Sequence, residues 1–111
     1  MSDPQRETSE LEVVDNPELR RWEARSGGQM LGFAEYRLHP SRITFIHTEV
    51  DPAFEGRGIA GRLARAALDS SVARGLQIRS ECPYISAYLS RHHEYDAHLF
   101  NRSARPNTDA H

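Results

Sequence analysis

The chain has 111 residues, a formal net charge of −2 and a single cysteine, which confines it to one domain with one modest core. That length leaves no room for a cofactor domain beside a substrate domain, and the lone Cys82 excludes an internal disulfide. Arginines are spread from Arg6 to Arg105 with no basic half, so a nucleic-acid surface is not expected.

Residues 1–10 are polar and poorly patterned, and 101–111 (NRSARPNTDAH) carry almost nothing to bury. Both ends are expected to be flexible around a working domain at 11–100. Leu11, Val13 and Val14 predict a short first strand, ended by a turn at Asp15-Asn16-Pro17, and 19–26 reads as a second. Only four residues, 15–18, separate Val14 from Leu19, too few for a stable helix. Gly27-Gly28 marks a hairpin, 30–38 a third strand and His39-Pro40-Ser41 a turn before a fourth at 42–50.

Farther on, Ile59, Leu63 and Ala67 form one row at helical spacing and Ala60, Ala64, Leu68 and Val72 the row beside it. Arg62, Arg65 and Asp69 fall on the opposite side. Arg74 and Gly75 supply a last-turn cation and a left-handed cap, so a helix is predicted over 58–74. Residues 76–81 predict a fifth strand, and Cys82-Pro83 opens a second helix running to about 92, because Pro suits a first helical position. A strand-helix-strand unit over 42–81 requires a crossover that sets the fourth and fifth strands parallel. No apolar run is long enough for a membrane span or a signal segment, and a cytoplasmic location is expected.

Between the fourth strand and the long helix, Gly56, Gly58 and Gly61 bring backbone free of Cβ bulk to a helix N-terminus. Unpaired N–H groups and the positive end of the dipole can hold a phosphate there. The glycines match G-x-G-x-x-G literally, and Glu81 stands about twenty residues on, where a dinucleotide fold keeps its ribose-binding acid. That reading fails on context: five residues, 51–55, separate the strand from the first glycine, and the loop follows a four-strand meander instead of opening the chain.

The longer string V-D-P-A-F-E-G-R-G-I-A, residues 50–60, resembles the acyl-CoA loop of the GNAT acetyltransferase superfamily, [Q/R]-x-x-G-x-[G/A]. Gly58 and Ala60 fill the last two positions and Val50 and Pro52 the lead-in, while Glu55 stands where Gln or Arg is usual. A carboxylate aimed at a pyrophosphate would repel it, but the family holds that group mainly through loop N–H groups. The chain resembles still more the small single-domain GNAT-like subgroup with an E-G-[K/R]-G loop, here 55–58, and a C-P-[F/Y] start to the last helix, here Cys82-Pro83-Tyr84. The likeness covers roughly 30–95, and His93 replaces the proline of that subgroup's H-P-E-Y ending.

The resemblance implies an α/β (α+β) GNAT-like fold: a mixed, mostly antiparallel sheet with a βαβ crossover and a C-terminal helix, lacking the usual helices between strands 1 and 2. It implies acetyl-CoA as cosubstrate, held by Val50, Glu55, Gly56, Arg57, Gly58, Ile59, Ala60, Gly61 and Arg62, and an amine acceptor that is unidentified, with a protein amine favoured. No metal, nucleic acid or membrane partner is expected. Arg57 and Arg62 are equally readable as surface arginines.

For catalysis, His47 and Glu49 share one face of the fourth strand. They form either a hydrogen-bonded surface patch or a pair lining the cleft, one of them taking the amine proton. Cys82 lies at a helix N-terminus, where the dipole favours a thiolate. It is read either as a small buried hydrophobe or as an acyl-contacting group or transient acceptor. Tyr84 and Tyr88 lie one turn apart, where the family commonly keeps a tyrosine that protonates the leaving thiolate, and Tyr88 is the preferred candidate over simple aromatic packing. His92, His93, Glu94 and His98 lack metal-ligand spacing and read as a solvated helix end. The rival to an acetyltransferase is a non-catalytic acyl-CoA-binding or interaction module of the same fold.

Overall fold

Five strands lie side by side in chain order, β1 (Glu12–Asn16), β2 (Arg21–Ser26), β3 (Gln29–Leu38), β4 (Arg42–Val50) and β5 (Gln77–Ser80), in a computed structural model that describes residues 11–100. The expectations for 1–10 and 101–111 lie outside the described residues. The first four strands pair antiparallel, and β5 joins β4 in parallel after the crossover helix α1 (Ile59–Ala73). Helix α2 (Pro83–Arg91) follows β5 directly. Among the described residues no helix is long and apolar enough to cross a membrane.

The β1–β2 connection differs from the expected turn. Asp15 and Asn16 stay in the strand, opposite Trp22 and Arg21, because their side chains find partners on β2 and β3. The Tyr36 phenol donates to Asp15 Oδ1 at 2.7 Å, and Asn16 Nδ2 donates to Glu23 Oε2 at 3.1 Å. The turn therefore slides to 17–20, closed by the Arg20 N–H on the Pro17 carbonyl at 3.2 Å. Arg20 sits at φ 56, and Leu19, expected in the second strand, is exposed. The next connection is as expected: Gly27 and Gly28 take φ 57 and 84, the positive angles of a two-residue hairpin.

Two register shifts shape the sheet. Ala24 faces Gly32 and Arg25 faces Met30, leaving Leu31 as an extra residue. Glu35 faces His47 and Tyr36 faces Phe45, leaving Ile46 extra in β4. Such a bulge resets the alternation of a strand. Ile43 and Phe45 point into the core beneath the helices; after Ile46 that face is continued by Thr48 and Val50, while His47 and Glu49 are exposed on the other side.

Both helices pack on one face of the sheet. Ala64, Ala67 and Leu68 of α1 and Ile85 and Leu89 of α2 close over Tyr36, Ile43, Phe45 and Ile78, and Ile59 and Leu63 close over Ala24, Leu31 and Ala34. Each fully buried Leu or Phe contributes about 2 kcal/mol, so the front half of β4 is firmly anchored. The ends of α1 lie one residue inside the predicted ones: Gly58 is the cap before it, and Gly75, at φ 72, ends the turn after it. The predicted solvated helix end is a separate 3₁₀ segment, His93–His98, in which His93 and Glu94 are exposed as expected. Tyr95 is buried there and donates to Asp69 Oδ1 of α1 at 2.6 Å.

Candidate functional site

Parallel pairing of β4 with β5 stops at Phe45 and Ser80, and the Glu81 N–H on the Phe45 carbonyl, at 2.8 Å, is the last backbone bond between them. Beyond it β4 continues through the bulge to Val50 while the other chain turns into α2. The two diverge and leave a notch of about 280 Å³. Thr48 and Val50 form its strand wall, Phe54, Glu55, Gly56 and Gly58 its loop wall, Ile59, Ala60 and Gly61 the helix start, and Tyr84 the far side.

The loop is built for close approach. Asp51 accepts the Ala53 N–H at 2.9 Å and fixes a single 3₁₀ turn, Pro52–Phe54. Gly56 and Gly58 then take φ 84 and 76, and a Cβ added at either would meet nothing within 4 Å, so the space beside this backbone is open. Gly58 caps α1 without a side-chain bond. The first ladder bond runs from the Arg62 N–H to the Gly58 carbonyl at 3.1 Å, so the N–H groups of Ile59, Ala60 and Gly61 precede the ladder. These donors and the helix dipole favour an anion.

Of the predicted binding residues, Val50, Glu55, Gly56, Gly58, Ile59, Ala60 and Gly61 all line the notch. Arg57 and Arg62 border a neighbouring depression with Phe54 and Ile59, and the Arg57 guanidinium lies over the Phe54 ring, 5.4 Å from its centroid.

The predicted catalytic residues are dispersed around this notch. His47 Nε2 and Glu49 Oε2 are 3.6 Å apart, with 52% and 65% of their side chains exposed. Glu49 lines a broad depression of about 520 Å³ with Phe33, Asp51 and Glu55. Val50 and Glu55 border both hollows, so Glu49 stands across a thin ridge from the notch. Cys82 is 1% exposed, and its thiol donates to Thr48 Oγ1 at 3.4 Å. Tyr88 is 7% exposed, and its ring is stacked on His92 with centroids 3.8 Å apart. Burial pushes the Tyr88 phenol above its ordinary pKa, opposed by the charge of Arg65. Tyr84, one turn earlier, is the tyrosine on the notch wall.

Sequence reasoning missed Thr48 and Phe54. Thr48 had one available signal: it lies between His47 and Glu49 and so points to the other face of β4. Among the described residues no group of three or more His, Cys, Asp or Glu is placed to hold a metal ion.

Known proteins place this architecture. Residues 21–99 match the family profile of the GCN5-related N-acetyltransferases. The chain is similar to the Protein NATD1 of Xenopus tropicalis and of Homo sapiens, each 51% identical over 43 residues, a stretch covering 39% of this chain. That match spans only 39% and 38% of those relatives' own length. In structure it is similar to a protein described as GCN5-like from Staphylococcus aureus, with a TM-score of 0.64 at 20% identity, covering 83% of this chain and 90% of that one. That likeness shows a common fold. Because the profile runs from β2 through the loop and both helices, taking in most of the described chain, this protein belongs to the GCN5-related N-acetyltransferase family.

Proposed function

We propose that the notch binds acetyl-CoA and that the protein transfers the acetyl group to an amine. The observation that carries this reading is the coincidence of two features: an open glycine loop at the start of α1 and a divergence of β4 from β5 directly beside it. The loop offers donors to a pyrophosphate, and the divergence exposes strand backbone along which an acyl arm fits. The residues suit the group with one dissonance, the Glu55 carboxylate on the loop wall. Its charge disfavours a phosphate, and the N–H groups of 59–61, fixed by the helix, outweigh one exposed side chain whose charge water screens.

Acetyl-CoA supplies an acetyl group already activated as a thioester. The chain's residues do the rest: they hold the acyl group against β4, exclude water, and manage one proton. The amine nitrogen bonds to the acetyl carbon, the carbon–sulfur bond breaks, and the amine proton is exchanged for one delivered to the CoA sulfur. Glu49, with His47 beside it, is assigned the base, reached from the opposite face across the Val50 ridge. Tyr84, on the notch wall, is assigned the proton return in place of Tyr88. Burial beneath the surface sets Cys82 apart from direct attack.

The test is release of free CoA thiol from acetyl-CoA in the presence of amines, polyamines and lysine peptides, alongside thermal shift with CoA. Acceptor-dependent release supports transfer. CoA-dependent stabilisation without acceptor-dependent release establishes a binding module instead, and the absence of both effects overturns the reading.

A further inference from the structure

We infer that Thr48 is the side chain that donates a hydrogen bond to the acyl oxygen, and that Cys82 is a positioning residue for it and not an acyl acceptor. The inference rests on the reading of the notch as an acyl-CoA site. Thr48 belongs to the back end of β4, whose phase is reset by the extra residue Ile46, and this turns its hydroxyl into the notch wall. Cys82 is the cap residue before α2, at the point where the second chain leaves the sheet. The 3.4 Å bond between them spans the gap just beyond the last backbone pairing of the two strands. It forms the floor of the divergence.

The donor arithmetic decides the roles. A thiol has one hydrogen, and the Cys82 hydrogen is directed to Thr48 Oγ1. A hydroxyl has one hydrogen and two acceptor lone pairs. With a lone pair filled by Cys82, the Thr48 hydrogen is left to turn toward the notch, and the β-branched side chain has few χ1 states in which to lose that aim. A hydroxyl so fixed is a preorganised donor of the kind that stabilises charge on a reacting carbonyl oxygen. Cys82 itself, 1% exposed, would have to give up its bond and leave the core to reach an acyl carbon. No covalent step passes through either residue: the acetyl group moves from the CoA sulfur to the amine nitrogen, and Thr48 keeps its proton throughout.

The test compares the full chain with Thr48→Val, Thr48→Ser, Cys82→Ala and Cys82→Ser. Acetyl-CoA affinity is measured by calorimetry, kcat is measured with the best acceptor, and the infrared carbonyl stretch is recorded for bound acetyl-CoA labelled with carbon-13 at the carbonyl. Thr48→Val is expected to lower kcat about a hundredfold, as loss of one such donor does, with Kd within about threefold. It should also return the carbonyl stretch toward its value in apolar solvent. Thr48→Ser restores both readouts. Cys82→Ser, which still donates, keeps most of the activity, and Cys82→Ala loses part of it. Full kcat and an unchanged stretch in Thr48→Val overturn the inference. So does an acetyl adduct, seen by intact mass in the parent and absent from Cys82→Ala. The infrared readout needs no turnover, so binding without a Thr48-dependent stretch defeats this inference alone, whereas failure of the parent to bind acetyl-CoA defeats the notch reading and this inference with it.

Discussion

Gly61 and Tyr84 face each other across the notch: a Cβ built on Gly61 would stand 3.6 Å from the Tyr84 hydroxyl. One residue belongs to the first turn of α1 and the other to the first turn of α2, so a missing side chain opposite a phenol sets the width of the opening. At 3.6 Å the contact is an ordinary one, and Gly61→Ala will fold. Alanine in place of glycine within a helix stabilises by about 1 kcal/mol, which raises Tm by about 4 °C for a domain of this size. Gly61→Leu keeps a helix-forming residue but extends into the opening. Its acetyl-CoA affinity should fall more than tenfold by calorimetry, with circular dichroism unchanged. Equal affinity in Gly61→Leu removes Gly61 from the site.

The glycine at position 58 makes two separable contributions. Its φ of 76 is costly for a β-branched residue, on the order of 1–2 kcal/mol, so Gly58→Val confounds backbone strain with crowding. Asparagine tolerates this region of backbone. Gly58→Asn should therefore lose little stability in urea while placing a side chain in space that is open in the parent. A Kd for acetyl-CoA at least tenfold weaker is expected, and retention of parental affinity would remove the loop from the binding site.

Local signals explain what the sequence made readable. The bounds of β4, the hairpin at Gly27 and Gly28 and the span of α1 followed from alternation, turn chemistry and two apolar rows closed by Gly75. The β1–β2 turn was misplaced because Asp15 and Asn16 have the composition of a turn, yet Tyr36, distant in the chain, and Glu23, on the paired strand, hold them in a strand. The extra residues Leu31 and Ile46 carry no mark of their own, since a bulge is a property of the pairing and not of one strand. The loop glycines bring themselves to the notch, being contiguous. The Cys82–Thr48 bond joins residues 34 apart, and no spacing rule finds it. Tyr84 and Tyr88 are one turn apart, and which of them meets the notch depends on how Ile85 and Leu89 seat α2 in the core.

Glu23 ties acid stability to the open face of the sheet. It is 2% exposed, with Arg21 Nε at 2.8 Å, Arg25 Nε at 2.9 Å and Asn16 Nδ2 at 3.1 Å. Burial pushes its carboxyl up, and the bonds from Arg21, Arg25 and Asn16 more than offset this, leaving it below the ordinary carboxylate value. A lowered folded pKa contributes stability that is present above the unfolded value, about 4.3 for Glu, and lost as pH falls through the lower folded value. Water screens Arg25 most, since it is the more exposed partner. Glu23→Gln should cost on the order of 2 kcal/mol at neutral pH and flatten the loss of urea stability below about pH 5. Parallel acid profiles for the parent and Glu23→Gln would contradict this assignment.

At the alkaline end the sign reverses. Burial raises the phenols of Tyr36 and Tyr95 well above their ordinary value, and the acceptors Asp15 and Asp69 add to it. A raised folded pKa gives stability that is complete below the unfolded value, about 10 for Tyr, and lost as pH climbs toward the folded one. Ultraviolet titration should show these two phenolates appearing only with unfolding. Tyr95→Phe leaves Asp69 without its 2.6 Å donor; it should cost about 1 kcal/mol at neutral pH and remove one late-ionising group. Ionisation of both near pH 10 in a folded chain would refute the packing described for them.

The acceptor is expected to be bulky. Residues 17–20 alone join β1 to β2, and both helices pack on the opposite face, so among the described residues no helix covers the side where His47 and Glu49 are exposed. The hollow beside Glu49 is broad and bordered by Phe33, Asp51 and Glu55. A small amine there would be enclosed on one side only, and binding that buries little of a ligand is weak. A protein lysine or amino terminus brings its own surface to complete the wall. Lysine-bearing proteins or long peptides should therefore show kcat/KM at least tenfold above free small amines, chiefly through KM, whereas Glu49→Gln, which removes the base, should lower kcat for both kinds of acceptor and leave their ratio in place. Steady-state kinetics decides it: a free small amine acetylated with micromolar KM and an efficiency of about 10⁴ M⁻¹s⁻¹ or more, in the range of ordinary enzymes, would show that the open face is no handicap and that the acceptor is a metabolite.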